Sequence, residues 1–447
     1  MMFEISLKDF RGFHEQSFVP IKPVTVLIGE NSAGKSSFLA ALKYLLDFTS
    51  RKEEPNFNRD PFQLGTFDQI AHFRGGRGGR AKEFHLTLRS EASLRRSRAR
   101  DAKETHDIEV AVHFTSVDSH AAVETIRISS SGESIQIKIN NSGISIEFIN
   151  AKGQRFPIGD PGSTPPVARS EFARYWPFII RDLNFRIGRR ESKDQEEIFP
   201  DNDRSISRII ELATDLTRVL TSKNEATSAI RTKPQRTYTP GTEKEDGEGS
   251  HVPYEIAKKY RSRAKNRSEW DNLKKSIERF GNISQMFKEL SVKSFGKTAS
   301  DPFQIQFSYD GPRTNLVDLG YGTSQVLPIL YSIAVSDRNH RFLIQQPEVH
   351  LHPKAQAALG QFIVDAFNLN RAQFVLETHS DFIVDRIRLA IAQGHISNDN
   401  VSLLFFERKK LENLITVIDL DSNGEPADPP ESYRAFFIDE QMKILGL

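Results

Sequence analysis

Residues 29–36 have the types and spacing of a phosphate-binding loop, G-x-x-x-x-G-K-[ST]. Glycines let backbone N–H groups close around a triphosphate, and the start of a helix adds partial positive charge. Lys35 would reach the β- and γ-phosphates, and the Ser36 hydroxyl would ligate Mg²⁺. The residues predicted to contact the triphosphate here are Gly29, Glu30, Asn31, Ser32, Ala33, Gly34, Lys35, Ser36 and Ser37.

The segments on either side of this loop decide between two interpretations of it. Residues 23–28 form an apolar, β-branched run typical of a buried strand, and residues 37–46 repeat apolar side chains at helical spacing. The alternative is a glycine-bearing strand-to-helix turn with a solvated lysine. Strand, glycine loop and helix in this order favour the phosphate site.

Length and composition limit the number of structural units and the classes of partner and compartment to expect. A chain of 447 residues suffices for two or three structural units, and a net charge of +2 predicts no partner from global charge. The absence of cysteine excludes disulfides and thiolate metal sites and suits a reducing compartment. No apolar run is long enough to cross a bilayer, and the N-terminus does not resemble a signal peptide. We therefore expect a cytoplasmic protein without a membrane partner.

A strongly basic stretch extends from Arg74 to Arg100 and contains an Arg-Gly-Gly repeat. Its basic residues are Arg74, Arg77, Arg80, Lys82, Arg89, Arg95, Arg96, Arg98 and Arg100. A solvated, flexible basic loop is the first interpretation. A contact with DNA is the second, because basic clusters bind phosphate backbones without sequence information.

Hydrophobic patterning divides the chain into four parts. Short alternating runs between residues 84 and 158 predict an antiparallel sheet, and residues 206–220 and 270–287 repeat apolar side chains at helical spacing. The last third alternates predicted strands (303–309, 341–344, 373–376, 401–407) with predicted helices (324–335, 353–367, 382–392), which favours a mostly parallel sheet. Residues 429–447 are predicted to form a terminal helix.

The N-terminal loop needs such a parallel sheet, and the first eighty residues cannot supply one. We therefore predict an α/β fold in which one P-loop head is built from both chain ends, with an antiparallel β and helical middle inserted. The predicted units are residues 1–90 and 301–447 for the head, 91–160 for the β subdomain and 161–300 for the helical insertion.

Three motifs in the last third carry a family resemblance. They span residues 318–328 (DLGYGTSQVLP), 342–353 (FLIQQPEVHLHP) and 374–383 (FVLETHSDFI). Together with the loop they resemble the signature, Walker B and switch segments of ABC-type ATPases, in the branch that contains SMC, recombination and OLD-like proteins. The resemblance covers about residues 1–90 and 300–447 and implies ATP and Mg²⁺ as ligands.

The resemblance implies a role for each motif. The start of the first motif, with Gly320, Gly322, Ser324 and Gln325, would bind ATP held by a second copy, so that ATP is sandwiched between two heads. His379 in the third motif would sense the γ-phosphate. Ser36, Gln345 and Gln63 are the predicted Mg²⁺ contacts, with Asp68 as the alternative to Gln63.

The second motif departs from the family pattern. Gln345 stands where the family places a Mg²⁺-coordinating acid, and Gln346 stands where it places the catalytic glutamate. A glutamine amide can orient a water but cannot accept its proton. Glu348 is the nearest carboxylate in sequence. The catalytic candidates are therefore Gln346, Glu348 and His379, with slow hydrolysis expected.

Our leading hypothesis is an ATP-dependent switch that dimerises head to head and controls a partner effector. OLD-like ATPases without their own nuclease resemble the ATPase subunits of anti-phage systems such as Septu and PARIS, which implies a nuclease or toxin as the partner. The alternatives are a DNA-binding ATPase of the recombination type and an ATP-binding scaffold with little turnover.

Overall fold

The computed structural model describes residues 2–50, 55–76, 78–94, 104–140, 143–158, 200–220, 222–241 and 245–433. The strands are β1 (Phe3–Phe10), β2 (Phe13–Ile21), β3 (Val24–Gly29), β4 (Glu83–Leu94), β5 (Glu104–Val117), β6 (His120–Ser130), β7 (Glu133–Asn140), β8 (Gly143–Ile149), β9 (Arg155–Pro157), β10 (Asn224–Thr227), β11 (Glu289–Ser294), β12 (Phe303–Ser308), β13 (Thr314–Asn315), β14 (Arg341–Gln345), β15 (Gln373–Glu377), β16 (Val401–Lys409), β17 (Glu412–Leu420) and β18 (Pro426–Ala427). The helices are α1 (Lys35–Thr49), α2 (Phe67–Ile70), α3 (Pro200–Leu220), α4 (Val252–Ser262), α5 (Arg267–Ser284), α6 (Tyr321–Ala334), α7 (Pro353–Asn370) and α8 (Asp381–Ala392).

A seven-stranded sheet joins the two ends of the chain. Its order is β10-β14-β15-β3-β16-β17-β18, and the strands from β10 to β16 run parallel. The N-terminal strand β3 lies between β15 and β16, which come from the last third of the sequence. The prediction of an α/β head assembled from both chain ends is therefore confirmed.

An eight-stranded antiparallel sheet has the order β2-β1-β4-β5-β6-β7-β8-β9. Leu7, Leu86 and Val112 face one another across three of its strands and are fully buried. Along β1, buried residues such as Leu7 alternate with more exposed ones. One face of the sheet is therefore apolar, as expected of an antiparallel sheet with one solvated side. Residue 90, the predicted boundary between the head and the β subdomain, lies inside β4 of this sheet.

Two hydrophobic cores flank the seven-stranded sheet. The first joins α1, α3 and the eight-stranded sheet to side chains such as Leu27 on one face of the seven-stranded sheet. The second joins α4 to α8 to side chains such as Val26 on the other face. The strand β3 is thus covered on both faces, and its end is held rigidly where the phosphate loop begins.

One predicted strand lies in a different sheet from the expected one. Residues 303–309 were predicted with the parallel strands, whereas β12 pairs antiparallel with β11 and β13 in a separate three-stranded sheet. The reason is local: β11 directly precedes β12 in the chain and pairs with it in an antiparallel hairpin. The predicted helix at 270–287 ends at Ser284, because Gln285 adopts a left-handed conformation that caps it.

Other predictions concern residues that the structure does not describe or describes only in part. Residues 159–199 of the predicted helical insertion and residues 434–447 of the predicted terminal helix lie outside the described residues. Within the described part of the chain, no helix combines the length and the hydrophobicity needed to span a bilayer.

Candidate functional site

The phosphate loop connects the end of β3 to the start of α1, and two glycines shape it. Gly29 has φ +122° and Gly34 has φ +95°, a region that side-chain-bearing residues rarely adopt. A Cβ on Gly29 would lie 2.1 Å from the Phe406 carbonyl oxygen, and one on Gly34 would lie 2.4 Å from Asn413. The loop therefore requires glycine at both positions for conformation and for space.

Lys35 and Ser36 begin α1. The Lys35 ammonium donates to the carbonyl oxygens of Gly29 (2.9 Å) and Glu30 (2.6 Å), and the residue is only 4% exposed. Burial lowers the Lys35 pKa, and the nearby carboxylates of Glu377, Glu30 and Glu348 act in the opposite direction. The Lys35 ammonium is therefore fixed in position by two backbone carbonyl groups of the phosphate loop.

A cavity of about 660 Å³ opens beside this loop. Its lining joins both chain ends: Arg11, Gly12, Asn31, Ser32, Gly34, Lys35, Ser36, Ser37, Gln69, Phe73, Arg80, Gln346, Glu377, His379, Arg408, Leu411 and Asn413. The volume lies in the range of ordinary small-molecule sites. Of the residues predicted in the loop, Gly29, Glu30 and Ala33 do not line this cavity.

The two glutamines at the end of β14 occupy different environments. Gln345 is buried, its side-chain oxygen accepts from the Ala229 N–H (3.3 Å), and it does not line the cavity. Gln346 lines the cavity in a left-handed conformation, φ +41°. The buried guanidinium of Arg231 donates to the Gln345 carbonyl oxygen (2.9 Å). Gln345 thus contacts the loop after β10 rather than the phosphate loop.

Glu348 joins the segment after β14 to the segment after β15. One carboxylate oxygen accepts from the Thr378 hydroxyl (2.8 Å), and the other accepts from the His379 N–H (2.7 Å). Both oxygens are therefore engaged by the switch segment. This arrangement fixes the position of His379 and leaves Glu348 poorly placed to accept a proton from a water.

His379 lies at the cavity wall and its side chain is exposed. Partial desolvation lowers the pKa of the imidazole, and the Lys35 charge lowers it further, while Glu348 opposes both effects. The neutral ring is therefore favoured at neutral pH. A neutral imidazole can donate one hydrogen bond and accept one.

Glu377 is a site residue that the sequence interpretation missed. It ends β15, it is 3% exposed, and it lines the cavity. Its Oε1 accepts from the Ser36 hydroxyl at 2.8 Å. Its Oε2 is buried and has no hydrogen-bond partner among the described residues. The available signal was a carboxylate two residues before His379, inside a motif already singled out.

Burial raises the pKa of the Glu377 carboxyl, and Glu348 adds to that effect, whereas the Ser36 hydrogen bond and the Lys35 charge lower it. A carboxylate with one unpartnered buried oxygen is costly, since an unmade hydrogen bond costs about 1–3 kcal/mol and more for a charged group. Each such group in a native protein calls for an explanation.

A profile of the AAA ATPase domain family matches residues 1–160 and 179–384 of this sequence. The chain belongs to that family. Solved structures to which the chain is similar include an Smc head bound to the C-winged helix domain of ScpA, at 11% identity and a TM-score of 0.46, covering 94% of this chain and 97% of that one. A second is an Smc head with an extended coiled coil, bound to the C-terminal domain of ScpA and derived from Pyrococcus furiosus, at 9% identity and a TM-score of 0.41, covering 99% and 100%. No curated protein sequence matches.

The signature segment of this ATPase lies at the start of α6. Gly320 and Tyr321 are exposed, whereas Gly322, Ser324 and Gln325 are buried. The Ser324 hydroxyl donates to the Tyr321 carbonyl oxygen (2.7 Å) within the first turn. The surface that the helix start presents therefore consists of Gly320 and Tyr321, and the predicted serine points into the fold.

The glutamine that lines the ATPase cavity differs from the predicted one. Gln63 is exposed and is not a lining residue, whereas Gln69 in α2 lines the cavity and accepts from the Thr66 N–H (2.8 Å). Sequence position could not decide between them, because the turn from residue 55 to residue 66 sets which glutamine faces the loop.

Part of the basic stretch is engaged within the ATPase itself. Arg74 forms an ion pair with Asp9 (2.6 Å), and Arg89 forms one with Glu109 (3.1 Å). Arg80 donates to the Ala71 carbonyl oxygen (2.9 Å) and lines the cavity. The glycines between residues 74 and 80 form a turn that the Arg74 N–H closes on the Gly79 carbonyl oxygen. Arg77 and residues 95–100 lie outside the described residues.

The residues present fit ATP and Mg²⁺. The described part of the chain holds no group of three or more His, Asp or Glu side chains that could bind a metal alone. Mg²⁺ is commonly bound by one or two carboxylates together with substrate phosphates. The Ser36 hydroxyl and the Glu377 carboxylate, beside the Lys35 ammonium, would supply oxygen ligands of that kind.

Proposed function

We propose that this ATPase binds Mg²⁺-ATP in the cavity beside the phosphate loop and acts as a slow switch that closes head to head with a second copy. The observation that carries the proposal is the cavity lining. Lys35 and Ser36 from one chain end stand with Gln346 and His379 from the other around one space. Family membership independently makes the chain an ATPase domain.

In this proposal each residue has a defined role. The N–H groups at the start of α1 and the Lys35 ammonium bind the β- and γ-phosphates. The neutral His379 ring hydrogen-bonds the γ-phosphate. Gln346 orients a water without accepting its proton. Mg²⁺, once bound, neutralises charge that develops on the phosphates.

Turnover is proposed to be slow. General-base catalysis contributes on the order of 10²–10⁴ in rate. Gln346 cannot supply it, and both Glu348 oxygens already accept hydrogen bonds. An ATP-binding scaffold with little turnover is therefore the second candidate function, and the same two observations favour it.

The second copy is proposed to complete the site with the start of its α6. The N-terminal backbone of a helix is an anion site, and Gly320 and Tyr321 present it at the surface. We extend the proposal to an effector protein, a nuclease or toxin in bacterial anti-phage defence, on the resemblance of the four motifs alone.

Light scattering on the purified protein tests the switch. We expect the mass of a monomer without nucleotide and the mass of a dimer with ATP and Mg²⁺. Lys35→Ala should stay monomeric in both conditions, and Tyr321→Glu should bind ATP and fail to dimerise, because it places negative charge where a phosphate would dock. An unchanged monomeric mass for the wild type in ATP and Mg²⁺ would contradict the proposal.

A further inference from the structure

Glu377 has two oxygens with different partners. Oε1 accepts from the hydroxyl of Ser36, the residue of the phosphate loop whose hydroxyl is expected to ligate Mg²⁺. Oε2 is buried without a partner among the described residues, although Glu377 lines the cavity. A ligand in the cavity would relieve the cost of that unpartnered oxygen.

The sheet order places this carboxylate where the motif places an absent one. Glu377 pairs with Gln345 on one side and with Leu27 of β3 on the other. The end of β15 is therefore one strand closer to the phosphate loop than the end of β14, about 4.8 Å. Gln345, at the position expected for the acid, faces Ala229 instead.

We propose that Glu377 is the Mg²⁺-side carboxylate of this site, acting with Ser36 in place of the acid that Gln345 does not supply. This inference rests on the proposed binding of Mg²⁺-ATP in the cavity. In this proposal the carboxylate comes from the end of β15 and not from the end of β14. It also accounts for a buried carboxylate oxygen that no other described residue satisfies.

A structural role for Glu377 makes a different prediction. If the carboxylate only held the Ser36 side chain in place, its loss would weaken nucleotide binding with or without a metal. If it binds the metal side of the nucleotide, its loss removes the effect of Mg²⁺ alone. Without Mg²⁺, the loss of a negative charge beside the phosphates should leave binding equal or tighter.

The experiment titrates a fluorescent ATP analogue into wild type and Glu377→Gln, each with Mg²⁺ and with EDTA. We expect Mg²⁺ to tighten binding by the wild type, and we expect Glu377→Gln to lose about 10- to 100-fold of that gain, as for other residues that support a metal site. Affinity in EDTA should be equal to that of the wild type or higher. Glu377→Asp keeps the carboxylate and should retain part of the Mg²⁺ effect.

Glu407→Gln is the matched control. Glu407 is on β16, the strand that pairs with β3 on its other side, its carboxylate accepts from the Ser432 hydroxyl (2.6 Å), and it does not line the cavity. It should keep the full Mg²⁺ effect. Melting temperatures establish that each variant is folded.

The outcomes separate this inference from the function on which it rests. A wild type that binds no nucleotide would overturn both. A wild type with a Mg²⁺ effect and a Glu377→Gln variant with the same effect would overturn this inference alone. Equal weakening with Mg²⁺ and with EDTA would also overturn it, because Glu377 would then act only on the shape of the loop.

Discussion

Glu348 and Glu377 stand near the ends of neighbouring strands, and both oppose the burial that lowers the pKa of Lys35. Their hydrogen bonding differs. Glu348 has both oxygens engaged by the switch segment, whereas Glu377 has one oxygen on Ser36 and one without a partner among the described residues. One carboxylate joins two segments of the site, and the other has a buried oxygen that no described residue satisfies.

Chemical type and position in a motif therefore do not decide the role of a carboxylate. Glu348 was predicted as a catalytic candidate from the second motif, whereas Glu377, in the third motif, was not predicted as a site residue. A carboxylate whose oxygens both accept hydrogen bonds stabilises the folded protein. A buried carboxylate oxygen without a hydrogen bond lowers the free energy of unfolding, and such a cost is common where a residue serves binding. The predictions below test whether this division between the two strands is correct.

The largest expected effect concerns the missing base at the end of β14. We expect Gln346→Glu to increase the steady-state rate of phosphate release by about 100-fold or more, because it introduces a proton acceptor in the cavity. Gln345→Glu is the matched control and should gain far less, since its side chain faces Ala229. Equal gains in both variants, or none in Gln346→Glu, would show that another group limits turnover.

The fold was largely predictable because its signals are local. The strand–loop–helix around Lys35 and the alternating strands of residues 84–158 follow from short-range spacing. The partners of strands were less predictable, because pairing depends on the whole chain. The register between Gln345 and Glu377 could not be predicted for this reason, whereas β12 was expected in the parallel sheet because its partner β11 was not predicted as a strand.

The site was predictable as far as its motifs extend. Lys35, Gln346 and His379 do line one cavity, as the order of the motifs implied. Gln63, a predicted Mg²⁺ contact, does not line that cavity, because a turn places Gln69 there. Ser324 was expected to face a second copy, whereas helix geometry turns its hydroxyl back onto the first turn of α6.

The next prediction compares the stabilities of the two carboxylate variants without nucleotide. Glu348→Gln should reduce the free energy of unfolding by about 1–3 kcal/mol, because the new amide group cannot accept from both the Thr378 hydroxyl and the His379 N–H. Glu377→Gln should be neutral or stabilising, because it removes a buried charge whose Oε2 accepts no hydrogen bond from a described residue. Urea unfolding at pH 7 measures both. The reverse order of stabilities would contradict the comparison.

The smallest expected effect concerns a half-buried ionisable group in the eight-stranded antiparallel sheet. Burial, and then the adjacent His85, lower the pKa of His113 from its ordinary 6.5 to about 4. Between these values the unfolded chain binds more protons than the folded one, so stability falls as the pH falls from 6.5 towards 4. We expect His113→Gln to flatten this decline in urea unfolding.

The exposed His120, changed to Gln, is the control for that measurement and should leave the decline unchanged. If His113→Gln left the decline as steep as in the wild type, the acid sensitivity would have to come from elsewhere in the chain, and the site carboxylates would be the first groups to examine. The comparison between Glu348 and Glu377 would then need to be repeated at several pH values.

Calorimetric titration of ATP with Mg²⁺ into the wild type and into Lys35→Ala tests most directly whether both chain ends form one nucleotide site. We expect one ATP bound per chain. We also expect the variant to lose about 10- to 100-fold in affinity, the size expected for a hydrogen-bonded charge. No binding by the wild type, or equal affinity in the two proteins, would contradict the claim that both chain ends form one nucleotide site around Lys35.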